Sequence, residues 1–304
     1  MTTVKIAALQ MVSTPDVAEN LASAVRLVAE AAAAGAELVA LPEYFCLLGR
    51  RDTDKLAVAE APGDGPIQRF LADAAKRHGV FIIGGTLPVR APASGPREGS
   101  DAAPHVLNRC CFFTPAGAEA GHYDKIHLFA FDNGRENYDE GRTLAAGSDP
   151  VATSLALPGW GAPEQRPLRL GLSVCYDLRF PELYRALMHP PCDLIAVPSA
   201  FTHTTGLAHW EVLLRARAIE TGAFVIAPAQ GGVHEDGRTT YGHSLIVNPW
   251  GEVIAKLDHD EPGMLVADLD LDEVAAARAK IPAWQGPRPF TAPRVTAPKL
   301  KTNA

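Results

Sequence analysis

The chain has 304 residues, 47% of them hydrophobic and 21% charged, enough for one large domain or two smaller ones and for a substantial core. Its formal charge of −7, with no lysine- or arginine-rich block, argues against nucleic acid as a partner, and no apolar run reaches the length of a membrane span. Five cysteines, at 46, 110, 111, 175 and 192, include no C-x-x-C pair, which excludes zinc-ribbon and thioredoxin readings; free thiols and the lack of a basic-then-apolar leader suit a cytoplasmic protein.

In chain order, apolar strands alternate with amphipathic helices. Residues 4–10 read as a strand, 20–34 as an Ala/Leu-rich helix stopped by Gly35, and 37–42 as a second strand. A helix over 65–78 ends at Gly79, and 80–86 (VFIIGGT) follows as a strand buried on both faces. Residues 91–105, rich in Pro and Gly, read as a hairpin loop. Segments 106–114 and 117–123 read as an antiparallel pair, and so do 151–157 and 167–174. The second half repeats the plan: a strand up to Cys175, a helix over 180–189, a strand in 191–201, a helix over 207–221 closed by Gly222, and a strand over 223–230. A hairpin across 244–258 turns at Asn248-Pro249-Trp250-Gly251, a short helix covers 271–280, and the tail from 286 is Pro-rich and extended. The segments AGAELVALPEYF (34–45) and PCDLIAVPSAF (191–201) are alike, each a strand ending in Pro with polar residues just beyond, as two packed sheets of related topology would give. No shift in composition splits the chain, so one α/β domain over 1–285, with helices outside two sheets, and a tail over 286–304 is the economical reading.

Cys175 follows an apolar strand and precedes a helix, a turn that exposes a thiol at the end of a sheet near backbone N–H groups able to hold an oxyanion. A lone cysteine is more often simply buried, but the polar residues Tyr176, Asp177 and Arg179 directly after it are not what a structural thiol needs. Glu43 closes the strand ELVALPE, and Lys125 lies in HYDKIHLF. Singly, either is an ordinary surface charge. Together with Cys175 they form a chemical set: a thiol that needs a base, a carboxylate whose pKa rises on desolvation, and a fixed cation for a tetrahedral intermediate. The histidines at 122, 127, 203, 209, 234 and 243 show no H-E-x-x-H spacing, so no metal is expected; no G-x-G-x-x-G follows a strand, so no dinucleotide cofactor is expected either. His127 reads as a buttress of the lysine loop. Cys110 and Cys111 should point to opposite faces of one strand. Trp210, Leu213, Leu214, Ala218 and Ile219 read as the core stripe of helix 207–221, and His209 and Glu211 as structural or at a subunit contact.

The segments LPEYF, YDKIHLF and CYDLRFPE, in that order, resemble the three signature segments of the nitrilase (carbon–nitrogen hydrolase) superfamily, with no substitution at the catalytic positions. The resemblance covers nearly the whole chain. It implies a four-layer α-β-β-α sandwich, a Glu-Lys-Cys triad at Glu43, Lys125 and Cys175, and pairing into at least a homodimer through helices flanking the site. A second glutamate in many members corresponds to Glu140 in NYDEGRTLAAG, with Glu136 close enough to be confused with it. The stretches PSAFTHTTGLAHWEVLLRARAIE and QGGVHEDGRTTYGHSLIVNPWGEV resemble the branch containing deaminated glutathione amidase and omega-amidase, and imply substrate contacts at Tyr176, Arg179, Phe201 and Thr205. Arg179 suits a substrate carboxylate, or an ion pair with Asp177 or Glu182. The expected reaction is hydrolysis of a small carboxylate-bearing amide to acid and ammonia through a thioester. Deaminated glutathione is the first substrate considered; a keto-acid amide such as alpha-ketoglutaramate and an N-carbamoyl amino acid are the alternatives. A catalytically silent binding member of the same fold would be expected to lack a triad residue.

Overall fold

A computed structural model describes residues 3–91, 105–132, 134, 137–156, 167–286 and 288–291. Most of the 91–105 loop, the 158–166 connector, Glu136 and the C-terminal tail from 292 lie outside them. Six α-helices are described: α1 (Val17–Ala33), α2 (Asp54–Ala57), α3 (Pro66–His78), α4 (Pro181–Ala186), α5 (His203–Thr221) and α6 (Asp272–Lys280). The architecture is the four-layer α-β-β-α sandwich of the nitrilase type, with α1 and α3 on one outer face and α4 and α5 on the other.

The first sheet runs Gly263–Asp270, Thr3–Gln10, Leu38–Ala40, Phe81–Ile83, then Val106–Phe113. Val106–Phe113 pairs with Phe81–Ile83 and Leu87–Arg90 along one edge and with Glu119–Asp124 along the other. The second sheet runs Val151–Leu155, Leu168–Leu172, Leu194–Ala196, Phe224–Ala227, Leu245–Val247, Val253–Lys256. Each has three parallel strands in chain order at its centre, an antiparallel strand before them and two antiparallel steps after them.

The period of two along each strand decides which side chain enters which core. Ile6, Ala8, Leu38, Ala40, Cys110 and Phe112 face the second sheet. Their neighbours Ala7, Leu9, Val39, Leu41, Cys111 and Phe113 lie under α1 and α3. The two adjacent cysteines thus do point to opposite faces.

Helix ends follow local chemistry. Asp16 accepts from the Glu19 N–H at 3.1 Å, so α1 starts at Val17, earlier than its apolar pattern indicates. Thr202 caps α5 in the same way, through Thr205, and moves its start to His203. The expected helix over 180–189 is only Pro181–Ala186, since Pro190 and Pro191 cannot continue it. Within α5 the expected core stripe needs correction. Trp210, Leu214 and Ala218 are buried, but Ile219 is 56% exposed and Leu213 only half-buried. Nine residues at ~100° each put Ile219 half a turn away from Trp210. The strand Gly263–Asp270, the hairpins Ala130–Asp132/Asn137–Asp139 and Gly231–Val233/Thr239–Tyr241, and helix α2 have no counterpart in the elements read from sequence.

Candidate active site

The ends of the two sheets meet around one pocket. Glu43, Cys175 and Glu140 line it, and Lys125 lies buried behind the two carboxylates; the four come from separate connections, each just beyond a strand.

Glu43 follows Pro42, which ends the ladder of strand Leu38–Ala40 because it has no N–H to give. The next peptide turns sharply: Tyr44 adopts φ 57° and donates its N–H to Thr86 Oγ1 at 2.8 Å. This requires glycine at 85, where φ is +55° and a Cβ would sit 2.1 Å from the Pro42 carbonyl oxygen. The Glu43 carboxylate is fully enclosed. Its Oε1 accepts from Lys125 Nζ at 2.8 Å and from Asn108 Nδ2 at 2.9 Å, and its Oε2 accepts from the Ala200 N–H at 2.9 Å. Burial raises its pKa, the Lys125 charge pulls the other way, and Glu140 adds to the rise.

Lys125 follows strand Glu119–Asp124 and its backbone N–H donates to the Asn108 carbonyl at 3.1 Å. Its ammonium is wholly buried and donates to Glu43 Oε1 at 2.8 Å and to both Glu140 oxygens, at 3.0 and 2.8 Å. Burial alone would lower its pKa, yet Glu140 and Glu43 hold it well above the usual lysine value. Glu140 also accepts from Tyr44 Oη at 2.6 Å and from the Phe129 N–H at 2.7 Å. Burial works against its charge, but Lys125 and these donors keep its pKa below the ordinary carboxylate value. The two carboxylates flanking one ammonium are therefore driven apart: one stays ionised and the other is ready to take a proton.

Cys175 stands three residues past strand Leu168–Leu172 in a left-handed backbone conformation, φ 48°. A non-glycine there is strained by about 1–3 kcal/mol. Its N–H donates to the Pro198 carbonyl at 3.0 Å, which ties the turn to the neighbouring strand's end. The thiol and Glu43 line the same pocket. Burial, then the Glu43 charge, push its pKa well above the usual thiol value, so the resting group is the protonated thiol.

Asp177 fastens this turn to the lysine loop. Its Oδ2 accepts from the Val174 N–H at 2.9 Å and from Tyr123 Oη at 2.8 Å; its Oδ1 accepts from the His127 N–H at 3.0 Å and lies 2.7 Å from His127 Nδ1. The His127 ring stacks on Phe180 at 3.6 Å, which gives the expected buttress a geometry.

The pocket is lined by Tyr176, Arg179, Phe201 and Thr205 as well as the acidic and thiol groups. Among the described residues Arg179 has no ion pair, so the expected alternative with Asp177 or Glu182 is not formed. It donates to His209 Nδ1 at 3.1 Å and lies over the rings of Tyr176 and Phe201, at 5.7 and 5.3 Å. Tyr44, Asn108, Lys55 and Arg238 went unnoticed in the sequence. Tyr44 and Asn108 are adjacent to recognised motifs or strands, but nothing in their spacing announces a bond to Glu140 or Glu43. Among the described residues no group of three His, Cys, Asp or Glu side chains is placed to hold a metal, and no helix is long and apolar enough to cross a membrane.

The sequence profile described as carbon-nitrogen hydrolase matches residues 5–279. A deaminated glutathione amidase of Synechocystis sp. is 41% identical over 282 residues, 92% of this chain and 96% of that one. The crystal structure of Saccharomyces cerevisiae Nit3, a member of branch 10 of the nitrilase superfamily, is similar with a TM-score of 0.78 at 25% identity, covering 92% of this chain and 94% of that one. An amidase from Nesterenkonia sp. AN1, described with acrylamide added at its active-site cysteine, has a TM-score of 0.70 at 27% identity, over 91% of this chain and 98% of that one.

Proposed function

The chain belongs to the carbon–nitrogen hydrolase family of the nitrilase superfamily and is a hydrolase of carbon–nitrogen bonds other than peptide bonds, and on that premise we propose that it is a cysteine amidase acting through a thioester. The observation that carries this reading is the Cys175 thiol lining one pocket with a buried carboxylate, Glu43, whose pKa burial raises and whose charge Lys125 balances. The substrate carbonyl carbon faces Cys175. Glu43 takes the thiol proton as the C–S bond forms. The ammonium of Lys125, with three donors on Glu43 and the two Glu140 oxygens, turns the longer of its Glu140 bonds to the oxyanion, which the Tyr176 N–H also holds. Glu43 then protonates the nitrogen, the C–N bond breaks and the amine leaves. Water loses a proton to Glu43 and attacks the thioester; the thiol recovers its proton and the acid departs. Glu140 holds Lys125 charged and in place.

Deaminated glutathione is the substrate this reading puts first, supported by the 41% identical relative of that name and by Arg179, whose guanidinium, free of carboxylates, faces the pocket. Its leaving group would be a dipeptide amine, where a primary amide such as alpha-ketoglutaramate would give ammonia. The test is bond cleavage followed by mass spectrometry on deaminated glutathione, alpha-ketoglutaramate and N-carbamoyl-beta-alanine. Preference for the first supports the reading; turnover of another amide alone keeps the triad and discards that substrate; no turnover of any favours a silent binding protein. The reading extends to setting and assembly. Five free, buried thiols suit the cytoplasm. Val212 and Ile219, exposed on the outer side of α5, suit a contact with a second copy, and Val212→Glu should then shift a dimer to monomer in light scattering.

A further inference from the structure

The pocket holds two cations that the amide chemistry leaves unused. Lys55, in α2, and Arg238, next to strand Thr239–Tyr241, both line it, and both also line a smaller recess beside it. Each is poised over an aromatic ring, with Lys55 Nζ 5.5 Å from the Tyr44 centroid and Arg238 Cζ 4.9 Å from that of Tyr138. Arg238 is only loosely ion-paired, at 3.6 Å to Asp236 and 3.7 Å to Asp52, beyond hydrogen-bonding distance, and among the described residues its buried Nε has no hydrogen-bond partner. Among the described residues Lys55 forms no ion pair. Burial lowers its pKa, Glu140 and Asp52 counteract this, and the charge of Arg238 adds to the lowering, so the two cations feel each other. Asp52 and Asp139 share this wall, but the buried Nε of Arg238 and the unpaired Lys55 ammonium leave donors on it for an incoming anion. Arg179 is not part of this pair: its contacts are Tyr176, Phe201 and His209.

We propose that Lys55 and Arg238 form a second anion subsite, which selects amides carrying a carboxylate distal from the scissile bond in addition to the one held at Arg179. The substrate class is then a dianionic amide, and a monoanionic keto-acid amide would fill only half of the recognition surface. This rests on the amidase reading.

The experiment compares deaminated glutathione with the same compound bearing an N-methylamide in place of its terminal carboxylate. Release of the shared acyl product, 2-oxoglutarate, is followed for the unmodified enzyme, Lys55→Met, Lys55→Arg and Arg238→Gln. Binding of both compounds to Cys175→Ala is measured in parallel by calorimetry, also with Lys55→Met or Arg238→Gln added. The enzyme should prefer the acid over the methylamide by about tenfold or more in kcat/KM. That ratio should collapse toward unity in Lys55→Met and Arg238→Gln and be largely kept in Lys55→Arg. The same preference should appear in the calorimetric affinities. Equal handling of the two compounds, or an unchanged ratio in both charge-removing variants, would overturn the subsite while leaving the amidase intact. Absence of turnover with a calorimetric preference that depends on Lys55 and Arg238 would instead overturn the amidase reading of this substrate and keep the subsite; absence of both overturns the two together.

Discussion

The two sheets carry one strand plan and opposite chemistry. In the first, Glu37 donates its N–H to the Lys5 carbonyl at 2.8 Å and accepts from Phe81 at 2.9 Å; in the second, Asp193 does the same with Arg169 and Phe224 at 2.8 and 2.9 Å. At the far end of these strands Leu41 donates to Ile83, and Val197 to Ile226, both at 2.9 Å, and each is followed by proline. Counting from the paired registers Ala8–Ala40 and Leu172–Ala196, Glu43 corresponds to Ser199 and Cys175 to Met11. The frame is duplicated, but only the first sheet's copy bears Glu43, the proposed proton carrier, and only the second sheet's copy bears Cys175, the proposed nucleophile. The proposed catalysis therefore depends on how well the two are held across the sandwich. Three links do that: the Ala200 N–H on the Glu43 carboxylate, Gln230 Nε2 on the Glu43 carbonyl at 3.0 Å, and Asp177 joining the cysteine turn to the lysine loop.

The largest effect should come from emptying the nucleophile's position. Cys175→Ala should lower kcat by ~10,000-fold or more. Because the alanine relieves part of the burden of a side chain at φ 48° only weakly, the melting temperature should stay within a few degrees. Residual activity near that of the unmodified enzyme would break the assignment of the second sheet as nucleophile donor.

Removing the first sheet's cation separates its two carboxylates. Lys125→Met leaves Glu43 and Glu140 buried without a counter-ion and should cost about 3–5 kcal/mol of stability along with activity. Glu43→Gln keeps the Lys125–Glu140 pair, so it should abolish turnover with a stability change of about 1 kcal/mol or less. Urea denaturation of both variants checks this. Equal destabilisation by the two would mean that Glu43, not Glu140, is the main partner of the ammonium. The pH dependence sharpens the division further. Glu140 has a depressed pKa, so its stabilising contribution is present above the unfolded value and is lost as pH falls through the folded value. Glu43 has a raised pKa, so the acidic limb of kcat/KM should lie above the ordinary carboxylate range, with activity rising as pH climbs through it. An acidic limb at or below that range would contradict a desolvated base.

The link across the sandwich predicts a smaller loss. Asp177→Asn keeps the shape but exchanges an acceptor oxygen for a donor among three donors, from Val174, Tyr123 and His127. About 2–3 kcal/mol of stability should go. If the role is positioning, kcat should fall by about 100-fold with KM little changed, since the pocket wall is untouched. A rise in KM alone would assign Asp177 to binding instead.

The same comparison shows what the sequence could and could not reveal. Glu43, Lys125 and Cys175, each ordinary alone, were legible because together they make a base, a cation and a nucleophile, in segments that resemble the family's three signatures. The likeness of ELVALPE and DLIAVPS foretold the duplicated frame. Strand Gly263–Asp270 was not legible: only Leu265 and Leu269 of its eight residues are buried, so it lacks a strand's alternation, and its partner Thr3–Gln10 is some 260 residues away. Lys55 and Arg238 were hidden for a related reason. Each is an ordinary loop charge by sequence, and only the fold sets them on one pocket wall. Ile219 was misplaced because helical spacing was counted loosely over nine residues.

The smallest expected effect tests the finest detail of the first sheet's site. Tyr44→Phe removes the 2.6 Å bond to Glu140 and nothing else that the ring supports. Glu140 keeps Lys125 and the Phe129 N–H, so its charge survives and stability should drop by about 1 kcal/mol. With one donor fewer, the Glu140 pKa should rise toward the ordinary value, the Lys125 ammonium should be held less firmly, and kcat should fall by about tenfold or less. A loss as large as that of Lys125→Met would instead make Tyr44 a direct contact of the reacting amide, which its place in the pocket wall would permit.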